Sequence, residues 1–235
     1  MTNVAYILSL IAPLFSYLKE EDYVSMQQNL AWLDVRAAAG APLQEALSLP
    51  TWPARSSFQN ELLVPGMPLA AMPVESLYKA WSTQQGNAFG ATRGLYLGDP
   101  ARHLSQVYRE LAIEVPAEFA SMPDHLTLEL ELLALLLDAG NGEAARQLAA
   151  DHLDWLDEYD AALADRADIV AHNEALPSVR RRNLLDGIAF FAGSRGARAA
   201  DGGRSARLRE RRRRRGRRRM TYPASAAASR RRAHR

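Results

Sequence analysis

Apolar residues recur three and four positions apart over most of residues 3–192, and strict alternation over a strand length is hard to find, so the chain reads as all-α. Val4, Ile7, Leu8, Ile11, Leu14, Phe15 and Leu18 form one amphipathic stripe; Tyr23, Met26, Leu30, Leu33 and Ala37 form a second that ends near Gly40. These predict an antiparallel helix pair. From Leu49 to Pro73 the breakers Pro50, Pro53, Pro65, Gly66, Pro68 and Pro73 predict a linker with room for one short helix around Ser57 to Leu63. A short helix around Glu75 to Trp81 follows, then a glycine-rich stretch from Gly86 to Gly90 and a turn at Gly98.

Asp99-Pro100 reads as a helix start, with Asp99 as the cap, and the helix runs to about Ile113. Ser121-x-x-Asp124 resembles a capping box opening a helix through Leu137 that is apolar on nearly every side, which puts it at the bundle centre. After Asn141-Gly142, one stripe of Ala145, Leu148, His152, Leu156, Tyr159 and Leu163 predicts a further helix. Asp151, Asp154, Asp157, Glu158 and Asp160 give it an acidic outer face. A last helix is expected around Ser178 to Phe191. The whole is a single-domain helical bundle over residues 1–193 with a proline-rich linker between its N-terminal and central helices.

Charge divides the chain after Gly193. Residues 194–235 hold 17 Arg against Asp201 and Glu210, a net of +15, which leaves 12 basic and 25 acidic residues, a net of −13, in residues 1–193. The basic segment lacks apolar periodicity, so burial cannot offset its ordering entropy and it is expected to be disordered. The stretch from Val4 to Leu18 is broken by Ser9, Pro13 and Ser16 and is shorter than the roughly 20 residues of a membrane span. No membrane insertion is expected, and with no cysteine the default compartment is the cytoplasm.

Catalytic signatures are missing from the sequence: no phosphate loop, no nucleophile elbow, no His-Glu-x-x-His and no pair of Glu-x-x-His motifs. A non-enzyme without cofactor or metal is expected. His125 and Glu129 share a helix face with Asp124 beside them. On composition alone this reads either as a helix cap with a solvated His–Glu pair or as a polar binding cluster. His152-x-x-Trp155 reads as a satisfied core pair, and Trp81, next to a loop, as the tryptophan best placed to line a groove.

Three segments in order carry a family resemblance. Leu62-Leu63-Val64-Pro65-Gly66 with Met72-Pro73-Val74-Glu75-Ser76-Leu77-Tyr78 is similar to the proline-containing linker of the TorD/DmsD-type chaperones that mature molybdenum-containing oxidoreductases. Met122-Pro123-Asp124-His125-Leu126 with Glu129-Leu130-Glu131 resembles that family's Asp-His helix start, and His152-Leu153-Asp154-Trp155-Leu156 its later His-Leu-x-Trp helix. Met122 and the basic tail depart from the family pattern.

The resemblance implies an all-α chaperone without catalytic activity. It implies binding of the twin-arginine signal peptide of a molybdopterin oxidoreductase subunit, help with cofactor insertion before export, and a monomer or homodimer. It also implies a peptide site at Asp124 and His125 with Glu75, Ser76 and Tyr78 of the linker nearby; Glu129, on the His125 face, and Trp81, beside its loop, complete the candidate site. The chemistry agrees, since guanidinium forks followed by an apolar run call for carboxylates beside an apolar groove.

Two other classes fit parts of the sequence. Arg211 to Arg215 and Arg217 to Arg219 would bind nucleic acid non-specifically through phosphates, although Tyr222 is the tail's one aromatic residue. A generic helical interaction module is equally compatible with the absence of catalytic motifs. The tail has a further reading as the product of an arginine-rich reading frame foreign to the domain.

Overall fold

Ten α-helices account for the architecture of the described residues, 3–38 and 48–192 of a computed structural model, and no strand occurs among them. They are α1 Asn3–Ile11, α2 Glu20–Gln28, α3 Leu30–Ala38, α4 Trp52–Leu62, α5 Glu75–Tyr78, α6 Asp99–Glu110, α7 Leu126–Asp138, α8 Gly142–His152, α9 Leu156–Ala171 and α10 Ser178–Phe191. The Arg-rich tail and the expected helix end at Gly40 lie outside the described residues.

Helix α7 is the axis of the fold, as its all-round apolar sequence predicts. Leu126 and Leu130 enter a core with Phe58, Trp155, Leu184 and Ile188. Leu128, Leu132 and Leu133 enter a second core with Leu104, Tyr108 and Leu148. The helix stops where Gly140 takes the left-handed conformation, φ 75°, that a glycine adopts without a Cβ penalty.

Several boundaries differ from the sequence expectation, each for a local reason. The first stripe is not one helix: α1 ends at Ile11 and a 3-10 turn, Ala12–Phe15, contains Pro13. The second is split at Asn29, whose Oδ1 accepts from the Ala31 amide at 2.8 Å. Helix α1 packs along α7, and α2 packs on α3 and α4, in place of an antiparallel pair.

Helix α4 is longer than the proline count suggests, because Pro53 lies in its first turn, where the missing N–H is not needed. Its Arg55 and Gln59 reach back to the segment after α1. Arg55 Nη2 donates to Ser16 O at 2.5 Å, and Gln59 exchanges hydrogen bonds with Leu18 N and O at 3.1 and 3.0 Å. Burial pulls Arg55 down to about 10, which leaves it charged at neutral pH.

The expected single helix from Gly142 to Leu163 is two. The His152 carbonyl accepts from the Trp155 indole at 2.6 Å, and the Leu156 amide bonds Leu153 O, so the ladder breaks between α8 and α9.

Candidate functional site

Glu75 and Ser76 begin a one-turn helix after an extended segment, and that segment meets the start of α7 backbone to backbone. The Glu75 amide donates to Asp124 O at 3.0 Å, the Leu126 amide donates to Pro73 O at 2.9 Å, and Val74 faces His125 in an isolated antiparallel bridge. Asp124 seals the junction: its Oδ2 accepts from the Ser76 amide at 2.7 Å and, more closely, from the Ser76 hydroxyl. The hydroxyl oxygen in turn accepts from the Gly98 amide at 3.1 Å, which brings the start of α6 to the same point.

This arrangement corrects the capping-box reading. Ser121 is exposed and the first turn of α7 begins at Leu126, with His125 as the cap: its Nδ1 accepts from the Thr127 amide at 3.2 Å. Asp124 is turned away to Ser76. The solvated His125–Glu129 pair does not form either, since both residues are buried and His125 packs its ring on Phe119, centroids 4.8 Å apart. At the next helix start, Gly98 is the cap position and Asp99 the first helical residue; its carboxylate accepts from the Thr83 amide at 2.7 Å and pairs with Arg102.

Below Asp124 lies a cluster of buried charge. Glu75 Oε2 meets His152 Nδ1 at 2.7 Å, and His152 Nε2 meets His103 Nδ1 at 2.8 Å on the solvent side. Glu75 Oε1 lies 2.6 Å from Lys79 Nζ, which also reaches Asp154 Oδ1 at 2.5 Å and the Asp151 carbonyl at 2.6 Å. Glu129, on α7, is fully buried, and neither carboxylate oxygen makes a hydrogen bond of good geometry.

Of the three buried carboxyl groups Glu75, Asp124 and Glu129, Glu75 is the one paired with Lys79. Burial pushes the Asp124 carboxyl up despite the two bonds from Ser76. Burial, followed by the charges of Glu75 and Asp124, pushes Glu129 well above the ordinary carboxylate range. Burial pulls His125 down to about 4, so it is a neutral imidazole at physiological pH, as an acceptor of an amide hydrogen must be.

Of the seven residues singled out in the sequence, Glu75, Ser76, Asp124, His125 and Glu129 come together and are buried. Tyr78 is half-buried; it stacks on Trp155 at 5.2 Å and donates to Met72 O at 3.0 Å. Trp81 stands at the border, with the Arg102 guanidinium 4.7 Å over its ring and Phe89 edge-on at 5.9 Å. Phe89, Leu95 and Leu97 are exposed on the same loop, Leu97 with a left-handed backbone, φ 61°. Lys79, His103 and Gly98 were missed in the sequence. The i,i+4 spacing of Glu75 and Lys79 was a usable signal; nothing in the sequence links His103 to His152.

Glu75, Ser76, Asp124 and His152 join the linker, α6, α8 and the start of α7, while an apolar loop and acidic side chains stay exposed beside them. This is an all-helical scaffold. A family model described as Nitrate reductase delta subunit matches residues 34–168, more than half of the chain, and the chain belongs to that family of redox enzyme maturation proteins, the TorD/NarJ family. Its members are maturation chaperones of molybdoenzymes and not enzymes. No curated protein and no solved structure matches the chain significantly. No helix among the described residues is long and apolar enough to cross a membrane.

Proposed function

We propose that this maturation chaperone binds the twin-arginine signal peptide of a molybdenum-containing oxidoreductase subunit in the cytoplasm and assists its cofactor insertion and assembly before export. The observation that carries the reading is the Ser76–Asp124 junction, which holds the segment after α5 in place beside the α8–α9 turn. That segment offers exposed Phe89, Leu95 and Leu97 with half-buried Trp81, and the turn offers exposed Asp151 and Asp154. An arginine pair followed by an apolar run has the complementary chemistry.

On this reading the seven site residues divide by depth. Glu75, Ser76, Asp124, His125 and Glu129 form the frame from beneath, and Tyr78 and Trp81 border the peptide. The net charge of −13 over residues 1–193 attracts a cationic peptide at long range.

The test is titration calorimetry of the full chain with twin-arginine signal peptides from molybdenum oxidoreductases of the same genome, each beside its twin-lysine counterpart. The expected result is binding of at least one arginine peptide that weakens with lysine and with added salt. Failure of every arginine peptide to bind refutes the reading. Unchanged affinity in a chain carrying both Asp124→Ala and His125→Ala removes these two residues from the site.

A further inference from the structure

The cluster beneath the junction contains more ligand chemistry than its hydrogen bonds use. Glu75, Glu129 and His152 are each buried, and one donor atom from each lies within 4.8 Å of the other two. They come from three different elements, the start of α5, the middle of α7 and the end of α8. Glu129 has the Glu75 carboxylate and the Trp155 indole as polar neighbours, yet neither of its oxygens makes a hydrogen bond of good geometry, and such a carboxyl group at zero exposure is a costly feature for a protein to bury for packing alone.

We propose that Glu75, Glu129 and His152 form a binding site for a divalent first-row transition ion such as Zn2+, contrary to the metal-free expectation from sequence. Two carboxylates and an imidazole are a donor set that suits these ions and leaves a coordination position open, whereas Ca2+ and Mg2+ prefer all-oxygen shells. The charge also balances: two carboxylates against two positive charges.

Lys79, the present counter-ion of Glu75, already holds Asp154 and the Asp151 carbonyl and can stay on them when Glu75 turns to a metal. His152 offers Nδ1, the nitrogen that faces Glu75. Its Nε2 is held by His103, the kind of outer partner that fixes the ring of a metal-bound histidine. Bonds of about 2.0–2.2 Å require the three donors, now within 4.8 Å of one another, to draw together.

The experiment uses the full chain, stripped with a chelator, desalted and titrated with Zn2+ and with Co2+ as a spectroscopic probe. The expected result is one ion per chain and a visible Co2+ absorption band. Glu129→Gln, which imitates the protonated acid and so keeps the fold, should weaken binding by more than the roughly 10–100-fold typical of losing an outer partner. His172→Ala, at an exposed histidine, should leave it unchanged.

Side-chain 15N signals supply a readout that no variant is needed for: those of His152 should shift with Zn2+ while those of His172 stay. Absence of stoichiometric uptake, binding retained in Glu129→Gln, or shifts confined to other histidines each overturns the proposal. None of these outcomes involves a peptide, so the signal-peptide reading stands or falls separately.

Discussion

Asp124 Oδ2 accepts both the amide and the hydroxyl hydrogen of Ser76, 48 residues earlier in the chain, and through this one oxygen the linker is fastened to the central helix. The pair is fully buried, so neither partner can exchange its bonds for water.

Ser76→Ala removes one bond to Asp124 and the acceptor for the Gly98 amide while leaving the backbone bond to Asp124 in place. The expected loss is about 1–3 kcal/mol of unfolding free energy, because buried partners are left unsatisfied. Urea denaturation of the two chains measures it. A loss below about 0.5 kcal/mol, the scatter of ordinary surface changes, would mean that the junction contributes no stability of its own.

Gly187 sits where α10 crosses α4, and a Cβ there would lie 2.7 Å from Ala54 O and 2.8 Å from Phe58 Cβ. Backbone cannot yield as a flexible side chain can, so Gly187→Ala should cost about 1–3 kcal/mol or more despite alanine's better helix propensity. Thermal unfolding reports it as a lowered Tm. A raised Tm would show that the two helices separate easily.

The buried groups have opposite effects on stability across pH. His125 is depressed to about 4, so between there and about 6.5 the unfolded chain binds the extra proton and stability falls as pH drops. Asp124 and Glu129 are raised; the folded chain keeps protons that the unfolded chain releases, and their contribution declines as pH rises through the raised values. His125→Asn retains a side-chain acceptor for the Thr127 amide and should flatten the acid limb. Glu129→Gln should flatten the decline toward higher pH. Denaturation midpoints between about pH 4 and 8 give both slopes, and parallel curves for wild type and variants would contradict these assignments.

Trp81 borders the proposed peptide surface and is only half-buried, packed by Arg102 and Phe89. Trp81→Ala should weaken twin-arginine peptide binding by roughly 10-fold or more, as loss of an aromatic anchor does, with helical content by circular dichroism kept. Equal affinity in the two chains would place the apolar part of the peptide elsewhere.

The all-α class, the central position of α7 and the bounds of α10 were all readable in the sequence. Helical periodicity reports which faces are apolar, and a helix with Leu126, Leu128, Leu130, Leu132 and Leu133 can satisfy them nowhere but in the interior. The short motifs pointed correctly to the family and brought Glu75, Ser76, Asp124, His125 and Glu129 to attention, because their chemistry is unusual among the apolar residues around them.

What the tertiary structure alone decided was direction and depth. Asp124 had a local option, capping its own helix, and a distant one, Ser76; the distant one prevails because it satisfies buried donors that water cannot reach. His125 then takes the cap. The break at Leu153, the pairing of His152 with Glu75 and His103, and the placement of Lys79 all depend on residues dozens of positions apart. Local periodicity carries no information about such contacts, which arise when α7 draws the linker, α6 and α8 to one point.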